Sequence, residues 1–217
     1  MNAKEIYDIL RAGGLSRAGA LGMLGNMMAE SSLIPNIAQR GMTKLSDEQY
    51  TAVADNGLLD FANDSVGYGL CQWTYNTRKR ALLDFARQSG TSVGDGKMQC
   101  VFCLHELQLD YPSLYKTLCE SNSIDECADL ICAQYERPAV NNFSVRRGFA
   151  HTFEQDIPDT ADAPALPTGF TVGGEDWKIA LIQFVMQWDG YWGTPDGIKS
   201  PEFLSRLHEY VDDMAKC

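Results

Sequence analysis

A glutamate stands at the end of the second predicted helix, where its carboxyl could transfer a proton. Residues 17–30 read RAGALGMLGNMMAE, and Glu30 is the last of them before Ser31 and Ser32. The negative end of the helix dipole and the apolar neighbours both disfavour the charged form of this carboxyl. A carboxyl that keeps its proton near neutral pH can act as a general acid. A glutamate at a helix end is more often a solvated surface residue, so this assignment depends on its surroundings.

A second motif completes a pattern with Glu30. Residues 30–33 read ESSL and residues 67–74 read GYGLCQWT. This pair resembles the Glu-Ser and Gly-Leu-x-Gln motifs of the lysozyme and lytic transglycosylase superfamily, and most of all the phage tail lysozyme family. The resemblance runs from about residue 4 to about residue 150. It includes the segments SDEQYTAVADNG at 46–57, Arg78-Lys79, and Glu136-Arg137-Pro138.

The resemblance implies an enzyme that cleaves the β-1,4 bond between N-acetylmuramic acid and N-acetylglucosamine in bacterial peptidoglycan. Glu30 would protonate the leaving oxygen, and no cofactor or metal would be required. A lytic transglycosylase that uses the same glutamate is the first alternative. The others are a non-catalytic wall-binding or structural tail protein, and a hydrolase of another glycan with the same fold.

Four residues are candidates for substrate contact under this resemblance. Sugar rings stack on aromatic faces and bind side-chain amides, so Tyr68, Gln72 and Trp73 are predicted to line the cleft. Ser31 joins them as the second residue of the Glu-Ser motif. The alternative for Tyr68 and Trp73 is that they are core aromatics.

Glycosidases usually use a second carboxylate, as a nucleophile or as a base for water. Asp64, just before the glycine-rich motif, is the first candidate, and Asp55 is the second. An aspartate beside the Asn56-Gly57 dipeptide is also ordinary turn chemistry. Lytic transglycosylases as a family dispense with this carboxylate, so Asp64 could instead hold the local structure.

Glu136 follows a predicted helix, and its expected role is structural. We predict a salt bridge between Glu136 and either Arg146 or Arg147, which would tie down the end of that helix. The three histidines have no ligand spacing and receive no function. The seven cysteines are odd in number, which favours reduced thiols over a complete disulfide framework. Cys100 and Cys103 form a CxxC, but no second pair with matching spacing supports a zinc site.

The elements that would position these residues are mainly helical. Residues 4–12 predict a short helix, and Ser16 is a plausible N-cap for the helix that ends near Glu30. Period-two patterning around Asn56-Gly57 predicts strands at about 49–55 and 58–63. The predicted fold class is therefore mainly α (α+β): a lysozyme-like fold with one small β-hairpin wall and a short helical C-terminal unit.

The chain divides into three predicted parts. Residues 1–156 form the lysozyme-like catalytic domain, and the proline-rich stretch 157–168 is a linker. Residues 169–217 form a small helical unit whose DGYWGTPDG loop weakly resembles peptidoglycan-binding modules. Trp188, Tyr191 and Trp192 would then face the ligand. A helical hairpin that packs on the main domain or on a partner subunit is the equal alternative.

Composition limits the partners. The net charge of −11 and the lack of a basic stripe argue against nucleic acid, and they are also awkward for an enzyme that acts on anionic walls. No apolar run approaches the roughly 18 residues of a membrane span, and the start lacks signal-peptide features. We expect synthesis in the host bacterial cytoplasm and action on the wall, either after release at lysis or from a virion tail. Phage tail proteins are then potential partners.

Overall fold

The computed structural model describes residues 1–158, and the predicted linker and C-terminal unit lie almost wholly outside them. This part of the chain contains eight α-helices and one π-helix. They are α1 (Ala3–Ala12), α2 (Arg17–Ser31), α3 (Asp47–Asp55), α4 (Asn76–Gln88), α5 (Gly96–Asp110), α6 (Pro112–Glu120), α7 (Ile124–Leu130), the π-helix Ile131–Glu136 and α8 (Phe143–Asp156). The prediction of a mainly helical domain is confirmed. No helix among the described residues has the length and apolar character that a bilayer crossing needs.

The central helix is α2, which packs against α1, α6, α7, the π-helix and α8. The predicted N-cap is confirmed, because the Ser16 side chain accepts a hydrogen bond from the Gly19 amide. Glycines let the neighbouring helices approach closely: a Cβ atom built on Gly25 would lie 2.4 Å from the Arg146 carbonyl oxygen. The second buried helix, α5, has an apolar face formed by residues such as Val101, which is 2% exposed.

The predicted β-hairpin is wrong. Residues 47–55 form α3, and no strand occupies 58–63. A capping box explains the helix: the Ser46 side chain accepts from the Gln49 amide, while the Gln49 side chain accepts from the Ser46 amide. The Asn56-Gly57 dipeptide ends α3, with Gly57 at a φ of +67°. A glycine in this conformation suits a helix end as well as a hairpin turn.

The only β pairing in residues 1–158 consists of isolated bridges around Tyr68, one with Ala38 and one with Trp73. Tyr68 and Trp73 exchange two backbone hydrogen bonds of 2.9 and 3.1 Å. These bonds close the segment 67–74, which we call the glycine loop.

Candidate active site

Glu30 lies in the last turn of α2, with its side chain 18% exposed. The helix ends directly after it because Ser32 and Leu33 adopt left-handed φ angles of 54° and 60°. Glu30 is therefore a half-buried carboxyl with access to solvent, where sequence reasoning placed it.

The partner of Glu30 is Arg146 from α8. Arg146 Nη2 donates to Glu30 Oε1 at 2.6 Å, and Nη1 donates to Asn26 Oδ1 at 2.9 Å. The side-chain amide of Asn26 donates in turn to the carbonyl oxygens of Gly22 and Ala128, and these bonds fix the Asn26 side chain. The Arg146 side chain is only 6% exposed, so the ion pair is largely shielded from water. Nothing in the sequence had assigned Arg146 to Glu30.

The predicted salt bridge of Glu136 is wrong. Arg146 pairs with Glu30, and Arg147 pairs with Asp129, with Nε to Oδ1 at 2.7 Å. Both arginines had seemed equally available because they are adjacent in the chain. Their side chains leave α8 in different directions, and this depends on how α8 packs against its neighbours.

The charges of Glu30 and Arg146 nevertheless act on Glu136. It ends the π-helix, and Arg137 follows with a left-handed φ of 48°. Its Oε1 atom is shielded from solvent and has no hydrogen-bond partner among the described residues. Burial, and next the charge of Glu30, raise the pKa of Glu136 well above its usual range, while Arg78 and Arg146 oppose the shift.

Ser31 fastens the glycine loop to the end of α2. Its hydroxyl contacts the Met27 carbonyl oxygen at 2.9 Å and the Leu70 carbonyl oxygen at 3.0 Å. Ser31 is 2% exposed, which leaves little of it accessible to a substrate. In this structure it acts as a positioning residue that sets the loop beside Glu30.

Gln99 of α5 also holds the glycine loop in place. Its Oε1 accepts from the Leu70 amide at 2.9 Å, and its Nε2 donates to the carbonyl oxygens of Pro35 and Val93, each at 2.7 Å. A Cβ atom on Gly69 would lie 2.6 Å from Gln99 Oε1, and Gly69 also has a φ of +77°. The loop therefore requires glycine at this position.

The two aromatic residues predicted to contact sugar are buried. Tyr68 and Trp73 are both 0% exposed. The Tyr68 hydroxyl lies 2.6 Å from Thr51 Oγ1, and the Trp73 indole donates to Glu106 Oε2 at 2.9 Å. Both residues are core aromatics, which was the alternative left open, and neither ring offers a face to a sugar.

Gln72 is half-buried, with a left-handed φ of 44°. Its amide nitrogen donates to the Gly69 carbonyl oxygen at 3.1 Å and lies 3.4 Å from that of Ile37. Its Oε1 lies beside Gly67, where a Cβ atom would approach to 3.0 Å. Gln72 is the one member of the predicted contact set that is both on the glycine loop and partly accessible.

Asp64 belongs to a polar cluster that also contains the Lys79 ammonium and the Tyr50 hydroxyl. Its Oδ1 accepts from the fully buried Lys79 ammonium and from the Val66 amide, and its Oδ2 accepts from the Tyr50 hydroxyl at 2.5 Å. Burial lowers the pKa of Lys79, and Asp64 opposes that shift. Asp55, the second candidate, accepts from Ser92 Oγ at 2.6 Å and from the Val93 amide at 2.8 Å. Both carboxylates have structural partners, and no contact joins either to Glu30.

Sequence reasoning missed Glu106, the most heavily bonded carboxylate of the described core. Its oxygens accept from Arg78 Nε at 2.6 Å, Arg78 Nη2 at 2.7 Å, the Tyr135 hydroxyl at 2.6 Å and the Trp73 indole. Glu106 thus joins α4, α5, the π-helix and the glycine loop. Its place in the apolar run MQCVFCLHELQLDY was the available signal, because a carboxylate there needs buried partners.

Sequence reasoning also missed Tyr75, which directly follows the glycine loop. Its ring is 62% exposed, and the Arg137 guanidinium lies 5.8 Å from the ring centroid. Tyr75 therefore places an open aromatic surface between the glycine loop and the segment that contains Glu136. The available signal in the sequence was its position, two residues after Trp73 and directly after the motif.

Backbone strain is concentrated around these residues. Within residues 1–158, five non-glycine residues have positive φ angles, and four of them adjoin the site: Ser32, Leu33, Gln72 and Arg137. Each such conformation costs on the order of 1–3 kcal/mol and persists only where the surrounding structure imposes it. The π-helix before Arg137 is also a form that is frequent at functional sites. Within residues 1–158, no group of three or more His, Cys, Asp or Glu side chains is arranged to hold a metal ion.

The site thus brings together the half-buried carboxyl of Glu30, the buried guanidinium of Arg146 and the glycine loop. Comparison with known proteins agrees with the family resemblance seen in the sequence. The family model described as phage tail lysozyme matches residues 1–156. Morphogenesis protein 1 of Bacillus phage B103 is 30% identical over 149 residues, an alignment that covers 65% of this chain and 35% of that relative. The match thus spans about a third of the relative's length. The chain belongs to the phage tail lysozyme family.

Proposed function

We propose that this protein is a phage peptidoglycan-degrading glycosidase that cleaves the β-1,4 bond between N-acetylmuramic acid and N-acetylglucosamine. The family supports cell-wall lysis in general terms. The observation that supports the specific proposal most is Glu30, a half-buried carboxyl at a helix end that Ser31 ties to the glycine loop.

In the proposed reaction, Glu30 protonates the leaving glycosidic oxygen and then activates the attacking group. Gln72 is the proposed amide contact to the sugar, and Tyr75 is the proposed stacking surface. Ser31 and Gln99 hold the glycine loop in register with Glu30 and contact no substrate. Tyr68 and Trp73 support the same loop from the core.

The lytic transglycosylase reaction is the second candidate, because both predicted partner carboxylates are occupied. Asp64 is paired with Lys79, and Asp55 accepts from Ser92 and Val93. A transglycosylase needs only one acid, since the substrate's own N-acetyl group assists bond cleavage. The contacts of Asp64 favour a structural role, and the catalytic role that the sequence predicted for it is tested by its own variant below.

The test is digestion of purified peptidoglycan by the wild-type protein and by Glu30→Gln, with mass spectrometry of the released fragments. We expect the variant to release fragments at least about a hundredfold more slowly, as loss of a general acid typically causes. Glutamine can still accept from Arg146, and thermal unfolding of both proteins checks that the fold survives. The matched control is Glu120→Gln, which removes an exposed carboxylate at the end of α6.

The ends of the fragments distinguish the two reactions. Reducing ends would identify a hydrolase, and anhydro ends would identify a transglycosylase. Undiminished release by a folded Glu30→Gln protein would refute the role of Glu30. No release by the wild-type protein would instead favour a non-catalytic wall-binding or structural role.

A further inference from the structure

Asn26 is a fully buried polar residue of α2 that the proposed reaction does not use. It lies four positions before Glu30, so both side chains leave the same face of the helix. Its Nδ2 donates to the carbonyl oxygen of Gly22 at 2.8 Å and to that of Ala128 in α7 at 3.0 Å. Carbonyl oxygens only accept hydrogen bonds, so these two contacts determine the orientation of the amide and leave Oδ1 as its acceptor.

Arg146 joins this amide to Glu30. Its Nη1 donates to Asn26 Oδ1 at 2.9 Å, and its Nη2 donates to Glu30 Oε1 at 2.6 Å. The guanidinium is a rigid planar group, so a contact that fixes one nitrogen on Asn26 also fixes the direction of the other. The side chain is 6% exposed, which keeps water from competing for these bonds. We call this pair of residues the Asn26–Arg146 bridge.

The Glu30 carboxyl depends on this bridge for its orientation. Within residues 1–158, the bond from Arg146 to Oε1 is the only hydrogen bond that this carboxyl makes. Oε2 has no partner there, and it is not one of the buried atoms without partners, so it is open to solvent. A glutamate side chain is flexible, and a single contact therefore determines where its free oxygen points.

We propose that Asn26 and Arg146 are positioning residues for Glu30, which hold Oε1 and so assign the transferred proton to Oε2. This inference deepens the proposed function and rests on it. Oε1 can accept from Arg146 whether or not Oε2 carries a proton, so the contact is the same before and after the transfer.

The bridge also meets the charge that the reaction creates. In the proposed step the proton leaves Oε2 for the glycosidic oxygen. The bond between that oxygen and the sugar carbon breaks, its electron pair stays on the oxygen, and Glu30 is left as a carboxylate. The Arg146 guanidinium already contacts this carboxyl in a site with little water, where a fixed positive group stabilises a developing negative charge.

The alternative is a purely structural bridge that connects α2, α7 and α8. In that case the variants would lower stability, and the folded proteins would keep the wild-type kcat. The matched control is Arg147→Ala, which removes the neighbouring arginine of α8. That side chain is 39% exposed and pairs with Asp129 instead.

The first test measures kcat and KM on soluble peptidoglycan fragments at a temperature where thermal unfolding shows each protein to be folded. For Arg146→Ala we expect kcat to fall about a hundredfold, as misplacement of a reacting group typically causes, with KM within a few-fold of wild type. Arg147→Ala should stay within a few-fold of wild type in both constants. A folded Arg146→Ala protein with the wild-type kcat would overturn the proposal.

Chemical rescue separates positioning of Glu30 from helix packing. Millimolar guanidinium chloride can occupy the space that Arg146→Ala leaves, and we expect it to restore kcat about tenfold or more. Sodium chloride at the same concentration should not do so, and neither salt should rescue Glu30→Gln. A kcat of Arg146→Ala that guanidinium leaves unchanged would overturn the proposal.

A double variant tests whether Asn26 acts through Arg146. We expect Asn26→Ala to lower kcat about tenfold in the wild-type background and by no more than about twofold in the Arg146→Ala background, because the two residues act as one unit. Losses that multiply would overturn the role of Asn26. If Arg146→Ala fails to fold, Arg146→Lys decides. It keeps the charge without the fork that reaches both acceptors, and a wild-type kcat would show that the bridge is not needed.

The failure of this inference is distinguishable from that of the proposed function. An inactive Glu30→Gln protein together with a fully active, folded Arg146→Ala protein would refute the bridge alone. An active Glu30→Gln protein, or a wild-type protein that releases no fragments, would refute the proposed function and this inference with it.

Discussion

Lys79 is fully buried, and its ammonium contacts Asp64, the Tyr50 hydroxyl at 2.9 Å and the Val66 carbonyl oxygen at 2.7 Å. The Phe61 ring lies 4.2 Å from the same ammonium. A buried charge of this kind depends on its counter-ion, since either partner alone bears an uncompensated desolvation cost. At the scale of single residues, Asp64 is thus explained by its structural contacts.

We predict that Asp64→Asn lowers the free energy of unfolding by about 3–5 kcal/mol, the range for breaking a buried ion pair. Urea unfolding measures this loss. The double variant Asp64→Asn with Lys79→Met should lose less, because no buried charge is left without a partner.

The same variant decides the catalytic role of Asp64. Under conditions in which Asp64→Asn is fully folded, we expect its digestion of peptidoglycan to stay within a few-fold of the wild-type rate. A loss of a hundredfold or more in the folded protein would restore Asp64 as the second catalytic carboxylate.

At the scale of elements, the contact between α2 and α8 determines where Arg146 meets Glu30. Gly25 lies at this contact, and a Cβ atom there would approach the Arg146 carbonyl oxygen to 2.4 Å and the Ala150 Cβ to 2.9 Å. Because the closest atom belongs to the backbone, α8 itself must move to make room. The glycines of α2 therefore serve helix packing.

We predict that Gly25→Ala destabilises the protein by about 1–3 kcal/mol, as overpacking typically does. It should also reduce digestion, because α8 would displace Arg146. The matched control is Gly148→Ala: Gly148 is an exposed glycine of α8 with no atom within 4 Å of a built Cβ. That control should stabilise the protein by about 0.5–1 kcal/mol through helix propensity. Thermal and urea unfolding measure both changes, and equal effects of the two substitutions would contradict the packing argument.

At the scale of the whole molecule, the net charge of −11 opposes binding to an anionic cell wall. Repulsion between exposed charges is screened beyond about 10 Å at 0.1 M salt. The proposed enzyme should therefore approach its substrate more readily as ionic strength rises, which is the opposite of what a cationic protein would show.

We predict that digestion of purified anionic walls accelerates several-fold between about 0.01 and 0.15 M salt, where the Debye length falls from about 30 to about 8 Å. The initial rate at constant pH measures this effect, and thermal unfolding at each salt concentration separates it from a change in stability. A rate that falls steadily with salt would show that a local positive surface dominates the encounter.

Helices with strong end signals were predictable from the sequence. Residues 4–12 and the segment from Ser16 to Glu30 form helices as expected, because Ser16 is a strong N-cap and the apolar spacing is regular. The structure of the segment 49–63 was not predicted correctly, because Asn56-Gly57 suits both a hairpin turn and a helix end. The Ser46–Gln49 capping box was the local signal that should have decided it.

Residue types and short-range order by themselves determined the family, the helical class and the place of Glu30 at the end of α2, since these depend on contacts within a few turns of chain. Only the tertiary structure decided which arginine meets Glu30, which aromatics are buried and which carboxylates are already paired. Arg146 and Glu30 are 116 positions apart, and Trp73 and Glu106 are 33. Contacts at such separations follow from the packing of whole helices, and no local pattern encodes them.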